Sequence, residues 1–386
     1  MLKKLLCIIL SVTMVLCFAS CGIGEKKDND TTNETLKAVT EPSKKVVIMV
    51  APESQYPEDY RAAKALEKQY PDTVVVKEYA DSRVLVVGNP EIVTLSQEMA
   101  EDESVGAIIY ARATQFTLNA IQAAKNINSD IITVAIEPES DIEEMSSVAS
   151  LVIAANWEKY SADIIDEAKT QGAENFVFLS FSRHVNSNPL YSQLASSLEE
   201  ECESKEINYI YRDIEDTNSE TASTVEENIN STLDYLYRRG EIMGENVAIF
   251  STNSLAQKAI VNYVKENGLI YICPSFPTAY NGIADVYDIE YSDLETFVKG
   301  VKSAVNSDEE NTGRFSIYNY SLIEVFETGA LCTVFDLLNG TADLNTISET
   351  AIPRLNEVAG DDNFTAETKL YINAVECYAP GFEVIK

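Results

Sequence analysis

The feature that most constrains the fold is a regular alternation of short, β-rich apolar runs with longer helical stretches. Val46–Val50 is a nearly continuous apolar run, as found in strands that are buried on both faces. A stretch with apolar residues at helical spacing follows from Asp59 to Tyr70, and the alternation then continues along the chain. Strands that alternate with helices predict a parallel sheet with helices on both faces and right-handed connections. The predicted fold class is therefore α/β.

The alternation occurs twice in series and restarts after Trp157. After the second series we predict a further strand at Ala284–Ile289 and helices at 292–305 and 322–338, whereas residues 364–386 show no clear pattern. The strands predicted in the two series are Val46–Val50, Val74–Tyr79, Ala107–Tyr110, Ile131–Ile136, Leu151–Ala155, Phe176–Phe181, Tyr209–Tyr211, Val247–Phe250 and Leu269–Cys273.

The first residues have the pattern of an export signal. Lys3-Lys4 precedes an apolar run from Leu5 to Cys17, which is too short to span a bilayer. The next residues, Phe18-Ala19-Ser20-Cys21, resemble a bacterial lipobox, although leucine is commoner at the position of the phenylalanine. This resemblance implies cleavage before Cys21 and lipidation of its sulfur. An ordinary signal peptide with an incidental cysteine is the alternative.

The segment behind the signal has little to bury. Residues 22–42 are rich in Asp, Asn, Thr, Lys and Glu and are predicted to form a disordered tether. The remaining chain of about 340 residues is too long for one ordinary core and predicts two domains. The predicted organisation is a signal peptide at 1–20, a lipidated tether at 21–43, one lobe from 44–155 and 292–345, and a second lobe from 157–290 and 366–386.

The formal net charge of −33 argues against nucleic-acid binding, because an acidic surface repels phosphates and no basic stripe or helix-turn-helix interrupts it. The sequence has no phosphate-binding glycine loop, nucleophile elbow or zinc-protease motif. The only histidine, His184, has no metal-ligand partner at a useful spacing. We therefore predict no enzyme activity, no cofactor and no metal. Four cysteines lie beyond Cys21 without a CxxC pair and are predicted to be buried free thiols, with disulfides as the alternative: Cys202, Cys273, Cys332 and Cys377.

Two successive α/β halves behind a lipobox, followed by a helical C-terminal section, resemble the type I periplasmic binding proteins, and in particular the DUF3798 family of clostridial-type lipoproteins. The resemblance covers roughly Lys44 to Val305 and rests on architecture rather than on a diagnostic motif. It implies two Rossmann-like lobes with parallel sheets, joined by a multi-strand hinge that the chain crosses three times. We predict crossings near Asn156, near Glu290-Tyr291 and between Gly340 and Pro353.

Polar residues follow most of the predicted strands. In an open parallel sheet, ligands bind in the crevice beyond the carboxyl ends of the strands, so these residues are candidates for a shared cleft. The predicted ligand-binding residues are Ser54, Gln55, Arg112, Gln115, Glu137, Asn156, Trp157, Ser182, Arg183, His184, Asp213, Asn253, Phe276 and Glu290.

Several of these residues have a structural interpretation as well. Arg112 and Arg183 either bind a carboxylate or phosphate of the ligand or close the end of a sheet through a salt bridge. Trp157 either stacks on a ring of the ligand or covers the sheet edge. His184 is interpreted as a cleft or capping residue. Asn253 is expected to cap the helix that follows it, and it can also face a ligand.

These patterns predict a monomeric, lipid-anchored solute-binding protein at the outer face of the cell membrane. Its lobes would close on a small polar molecule, and the closed form would deliver that molecule to an ABC-type permease. Three alternatives stay open. They are a sensory lipoprotein of the same fold, a surface hydrolase with His184 as its base, and a structural or adhesive lipoprotein with a degenerate cleft.

Overall fold

The computed structural model describes residues 39–79, 90–215, 224–273, 281–290, 294–308, 314–318, 321–360, 363–368 and 371–385. Residues 38–386 form one compact unit. The predicted signal peptide, Cys21 and most of the predicted tether lie outside the described residues.

The described strands belong to two sheets, and most of them are buried on both faces. In chain order they are β1 (Lys45–Val50), β2 (Val74–Glu78), β3 (Val105–Tyr110), β4 (Ile132–Ile136), β5 (Leu151–Ala155), β6 (Asn175–Ser180), β7 (Asn208–Asp213), β8 (Val247–Ser251), β9 (Ile270–Cys273), β10 (Phe315–Tyr318), β11 (Thr365–Thr368), β12 (Ala374–Tyr378) and β13 (Phe382–Val384).

The first five strands of each sheet repeat one topology. The first sheet has the order β11-β12-β5-β4-β3-β1-β2, and the second has the order β13-β10-β9-β8-β6-β7. Within each sheet the strands pair in parallel, except that β11 pairs antiparallel with β12 and β13 pairs antiparallel with β10. The predicted α/β class, with two Rossmann-like lobes, is therefore confirmed.

Helices cover the faces of both sheets, and local sequence signals mark several of their ends. The helix that starts at Glu91 follows Pro90. The helix that ends at Arg239 is followed by Gly240, whose φ of 68° suits a residue without a Cβ. Among the described helices, none is long and apolar enough to cross a membrane. The helices are α1 (Pro57–Gln69), α2 (Glu91–Glu101), α3 (Thr117–Ile127), α4 (Ile142–Val148), α5 (Trp157–Thr170), α6 (Ser182–Ser187), α7 (Pro189–Ser204), α8 (Val225–Arg239), α9 (Gln257–Asn267), α10 (Asn281–Tyr287), α11 (Leu294–Asn306), α12 (Leu322–Leu338) and α13 (Ile347–Ala359).

Alternate residues of each strand enter different cores, which explains why the strands are continuously apolar. Ile48 in the first sheet and Phe178 in the second belong to one core that also includes residues of α5, α7 and α12. Met49 packs in a second core on the other face of the first sheet, and Leu179 packs in a third on the other face of the second sheet. The core that contains Ile48 and Phe178 therefore joins the two lobes.

The predicted secondary structure agrees with the structure except toward the C-terminal part. The strands predicted in the two series are confirmed to within two residues at each end. The predicted strand Ala284–Ile289 is wrong, because α10 occupies this segment and buries Ile283 in a helical pattern with Val286 and Tyr287. The segment 364–386, for which no structure was predicted, contributes β11, β12 and β13.

The sheet topology also corrects the predicted lobe boundaries. Strand β10 pairs with β9, so part of the segment 292–345 belongs to the second lobe, and α11 packs in the core of that lobe as well. Strand β12 pairs with β5, so part of the segment 366–386 belongs to the first lobe. The predicted boundaries at 292–345 and 366–386 are therefore wrong. Very short strands at the ends of a sheet carry too little periodicity to be assigned to one sheet or the other.

The chain crosses between the sheets at three places. It leaves the first sheet after β5, at Asn156, as predicted. It returns between Tyr318, the last residue of β10, and α12, and it crosses again at Ala379, between β12 and β13. The crossings predicted near Glu290-Tyr291 and between Gly340 and Pro353 are therefore wrong.

Candidate ligand-binding site

The carboxyl ends of the two sheets meet each other. The order of strands reverses between β1 and β3 in the first sheet and between β6 and β8 in the second, and ligands of open α/β sheets bind at such points. The loop after β1 contacts the turn after β8, where Ser254 Oγ donates a hydrogen bond of 2.9 Å to the backbone oxygen of Gln55. Arg61 of α1 and Asp285 of α10 also lie close enough to interact electrostatically. The structure therefore has its lobes in contact at their strand tips.

Arg112 follows β3 and forms a buried salt bridge with Asp59 in the first turn of α1. Its Nη2 lies 3.1 and 3.2 Å from the two carboxylate oxygens, and the side chains are 7% and 2% exposed. Burial is the largest influence on Arg112 and disfavours its charge, but Asp59 together with Tyr56, Tyr191 and Glu137 raises the pKa of the guanidinium. The guanidinium also lies over the Tyr56 ring, 4.6 Å from its centroid. The salt-bridge interpretation of Arg112 is thus confirmed, and its contact with a ligand stays a prediction.

Glu137, directly after β4, has an unusual backbone and a buried carboxyl group. Its φ of 48° is in the left-handed region, which costs a residue with a side chain about 1–3 kcal/mol. The backbone is held there by a 2.8 Å hydrogen bond from its N–H to Ile153 O, and Oε1 accepts one from the N–H of Ala155. The side chain is 5% exposed, and burial raises the pKa of Glu137 to about 7. A strained, buried acid at a strand tip is typical of a functional site.

A cavity of about 290 Å³, which we call the hinge cavity, lies beside Glu137. The first lobe provides the residues after β4, the end of β5 and the start of α4, and the second lobe provides the start of α7. Its lining residues are Glu137, Pro138, Ser140, Asp141, Ile142, Glu143, Ala154, Ala155, Asn156, Trp157, Pro189, Leu190, Gln193 and Glu376.

Asn156 and Trp157, at the first crossing, form one wall of the hinge cavity. The Asn156 side chain caps α5, since its Oδ1 accepts a 3.0 Å hydrogen bond from the N–H of Lys159. Its Nδ2 donates to Glu376 Oε2 at 3.1 Å. Trp157 is 7% exposed and its ring lies 5.8 Å from that of Tyr160. Trp157 is therefore a buried core residue that also borders the cavity.

Four predicted residues of the second lobe do not line the hinge cavity: Ser182, Asp213, Asn253 and Glu290. Ser182 Oγ lies 3.1 Å from both carboxylate oxygens of Asp213, at the end of the edge strand β7. Asn253 is buried and accepts a 2.8 Å hydrogen bond from the N–H of Leu255, so the predicted cap is confirmed. Glu290 is exposed after α10, so its predicted position at a crossing is wrong.

Some predictions fall on the surface or outside the described part of the chain. Ser54 and Gln115 are exposed in loops of the first lobe, and Gln55 contributes its backbone oxygen to the contact with Ser254. Phe276 and the side chains of Arg183 and His184 lie outside the described residues.

Sequence reasoning missed several acidic residues of the site. Asp59 follows the pattern of an acid in the first turn of a helix, which gives no hint of a buried pair with Arg112. Glu327 in α12 is fully buried, burial raises its pKa well above the usual value, and neither carboxyl oxygen has a hydrogen-bond partner among the described residues. The others are Asp141, Glu143 and Glu376, all in the wall of the hinge cavity.

The described residues form neither a metal site nor a disulfide bond. No group of three or more His, Cys, Asp or Glu side chains there is arranged to hold a metal ion. Cys202, Cys332 and Cys377 are buried free thiols, as predicted, and burial raises the pKa of each of them. The side chain of Cys273 lies outside the described residues.

The sequence of residues 44–316 matches the family model described as protein of unknown function, DUF3798. The chain belongs to the DUF3798 family. No functionally curated protein has significant sequence similarity to this DUF3798 chain.

Solved structures of similar fold are distant in sequence. A crystal structure from Clostridium difficile 630, of a protein provisionally named a transcriptional regulator, has a TM-score of 0.71 and 13% identity, covering 89% of this chain and 100% of that one. An ABC transporter solute binding protein from Clostridium phytofermentans with bound L-rhamnose has a TM-score of 0.52 and 13% identity, covering 89% of this chain and 96% of that one. These similarities confirm that the DUF3798 chain has the type I periplasmic binding protein fold.

Proposed function

We propose that this chain is an extracytoplasmic solute-binding protein that captures a small polar molecule between its two lobes. The observation that carries the proposal is the hinge cavity, whose wall comes from both lobes: Glu137, Asn156 and Trp157 at the first-lobe and hinge side, and Leu190 and Gln193 from α7. A site built from two lobes is complete only when those lobes approach each other. A ligand that contacts both of them therefore stabilises the closed form.

The contacts at the strand tips support the same mechanism. The hydrogen bond from Ser254 to Gln55 joins loops of different lobes, and it breaks if those lobes move apart. Closure would also exclude water from the side chains of Glu137 and Arg112 at the strand tips. Excluding water strengthens their electrostatic interactions with a bound molecule. Ligand affinity would thus depend on the free energy of closure as well as on direct contacts.

The charge of the chain favours solute binding over gene regulation. The chain has a net charge of −33, which opposes contact with DNA phosphates. The structurally similar protein from Clostridium phytofermentans is an ABC transporter component that holds L-rhamnose. We infer that the DUF3798 chain acts on the outside of the membrane, anchored by lipid on Cys21, and delivers its solute to an ABC-type permease.

A thermal-shift screen tests solute binding directly. The protein would be produced from Asn33, which keeps all of the compact unit from residue 38, and mixed with sugars, nucleosides, amino acids and vitamins. A ligand at about 100 times its dissociation constant adds about 2.7 kcal/mol to the free energy of unfolding, which raises the melting temperature by several degrees.

A specific site also predicts which variants lose that shift. Trp157→Ala removes one wall of the hinge cavity and should abolish the shift, whereas Ser231→Ala, on the exposed face of α8 and outside the cavity, should leave it unchanged. A complete screen in which no solute changes the melting temperature would contradict solute binding and favour a structural lipoprotein.

A further inference from the structure

The wall of the hinge cavity is acidic on several sides. Four of its lining residues carry carboxyl groups, and no lysine, arginine or histidine is among the described residues that line it. The nearby guanidinium of Arg112 is already bound to Asp59 through two hydrogen bonds. The four acidic residues are Glu137, Asp141, Glu143 and Glu376.

Two of these carboxyl groups are buried on either side of β5. Glu137 follows β4 and accepts a hydrogen bond from Ala155, and Glu376 of β12 pairs with Ala154 and accepts one from the side chain of Asn156. The two acidic residues are 5% and 6% exposed. An ionised carboxylate at such low exposure is costly without a positive partner. The guanidinium of Arg112 favours the ionised form of Glu137 from outside the cavity, and a cation bound in the cavity would add to that effect.

The uncharged parts of the wall suit a cationic group as well. The Trp157 ring borders the cavity, and indole is the aromatic group that attracts cations most strongly. The hydroxyl oxygen of Ser140, also in the wall, is buried and has no hydrogen-bond partner among the described residues. A hydroxyl oxygen accepts hydrogen bonds, so it can bind an N–H of an ammonium group.

We propose that the hinge cavity binds a protonated amine of the solute, between the carboxylates of Glu137 and Glu376 and beside the ring of Trp157. The inference rests on the proposed function and specifies its ligand class: an amine-bearing solute rather than a neutral sugar. It differs from the hypothesis that Arg112 binds an anionic ligand, because Nη2 of Arg112 is bound to Asp59 and Arg112 does not line the hinge cavity. Charge-assisted hydrogen bonds to two carboxylates would give selectivity for the cation.

Three probes of equal chain length separate charge from shape: cadaverine, 1,5-pentanediol and glutarate. Isothermal titration calorimetry of the protein from Asn33 should show that cadaverine binds at least about tenfold more tightly than either other probe, since a hydrogen bond to a charged group contributes about 1.5–3 kcal/mol. Raising the ionic strength should weaken cadaverine binding, because salt screens the attraction.

Neutral variants of the same shape identify the carboxylates responsible. Glu137→Gln and Glu376→Gln should each weaken cadaverine binding about tenfold or more. Glu144→Gln is the matched control, because Glu144 is exposed on the same helix as Glu143 and does not line the cavity; it should leave the affinity unchanged. The melting temperature of each variant without ligand would show that it is folded.

The outcomes separate this proposal from the function on which it rests. Binding of 1,5-pentanediol or glutarate as tight as that of cadaverine would overturn the cation site and still support solute binding. Cadaverine binding that is unchanged in both Glu137→Gln and Glu376→Gln would have the same consequence. If cadaverine fails to bind while a solute without an amino group gives a thermal shift, only the amine proposal is wrong. If no solute of the broad screen binds, the proposed function itself is contradicted.

Discussion

The hydroxyl groups of Tyr160 and Tyr318 are hydrogen-bonded to each other and to the same third residue, so they join all three connections between the lobes. Tyr160 lies in α5, just after the first crossing, and Tyr318 ends β10 at the second. The hydroxyl of Tyr318 donates to the backbone oxygen of Ala379 in the third crossing, and the N–H of Ala379 donates to the hydroxyl of Tyr160 at 3.4 Å. The two rings also pack edge to face, with centroids 5.2 Å apart.

This arrangement predicts that Tyr318→Phe loosens the hinge without removing its aromatic packing. The change leaves the buried oxygen of Ala379 without its donor, which lowers the free energy of unfolding by about 1–3 kcal/mol in denaturant titrations. Hydrogen exchange at the amide of Ala379 should become faster, because its local structure opens more readily. Tyr378→Phe is the matched control, since that hydroxyl binds the Asp163 side chain instead. Unchanged exchange at Ala379 in Tyr318→Phe would contradict the role of this network.

The Asp59–Arg112 pair predicts a large loss of stability when only one partner is removed. Asp59→Ala leaves a buried guanidinium without its counter-charge and should lower the free energy of unfolding by about 3–5 kcal/mol. Glu53→Ala, which breaks the partly exposed pair with Arg61, should cost about 1 kcal/mol or less. Equal losses in urea titrations of the two variants would show that burial does not distinguish the pairs.

The central architecture was predictable because it follows from a repeated local pattern. Strands buried on both faces, such as β1 and β6, require continuous apolar runs, and the helices between them require apolar residues at helical spacing. The short strands β10 and β13 carry no such signal. They are held in the second sheet by pairing with each other, and β10 also pairs with β9. Sheet membership of this kind is a tertiary property.

The site was predictable only where its residues follow a strand. Arg112, Glu137 and Asn156 lie at strand ends, and the rule for parallel sheets identified them. Asp59 and Glu376 belong to a helix and to a C-terminal strand, and their local sequence gives no sign that they approach those residues. Their positions result from the packing of α1 on the first sheet and from the pairing of β12 with β5.

Glu137 predicts a stability that depends on pH in a defined direction. Burial raises its pKa from 4.5 to about 7, so between these values the folded protein keeps a proton that the unfolded chain releases. Its contribution is therefore most favourable below about pH 4.5 and is lost as the pH rises to about 7. Glu137→Gln cannot ionise, and its melting temperature relative to the unchanged protein should increase across this interval. Glu144→Gln should show no such trend. A constant difference for Glu137→Gln from pH 4 to 8 would contradict the raised pKa.

Glu327 predicts a stabilising substitution. Its carboxyl group is fully buried and both oxygens have no hydrogen-bond partner among the described residues, a situation that costs about 1–3 kcal/mol. Glu327→Met keeps a similar volume and removes the polar atoms, so the free energy of unfolding should increase by about that amount. The exposed Glu349 is the control, and Glu349→Met should change stability by no more than about 0.5 kcal/mol. A less stable Glu327→Met protein would show that the carboxyl group has a compensating interaction.

The proposed lipid anchor predicts that a single sulfur atom determines where the protein is found. When the full chain is expressed in a bacterium, it should partition into the detergent-rich phase of a Triton X-114 extract, because acyl chains contribute about 0.8 kcal/mol per buried CH₂ group. Cys21→Ser removes the attachment point and should move the protein to the aqueous phase. Cys17→Ser makes the same chemical change four positions earlier and keeps the lipobox, so it should remain in the detergent-rich phase. Equal partitioning of both variants would favour an ordinary signal peptide with an incidental cysteine at position 21.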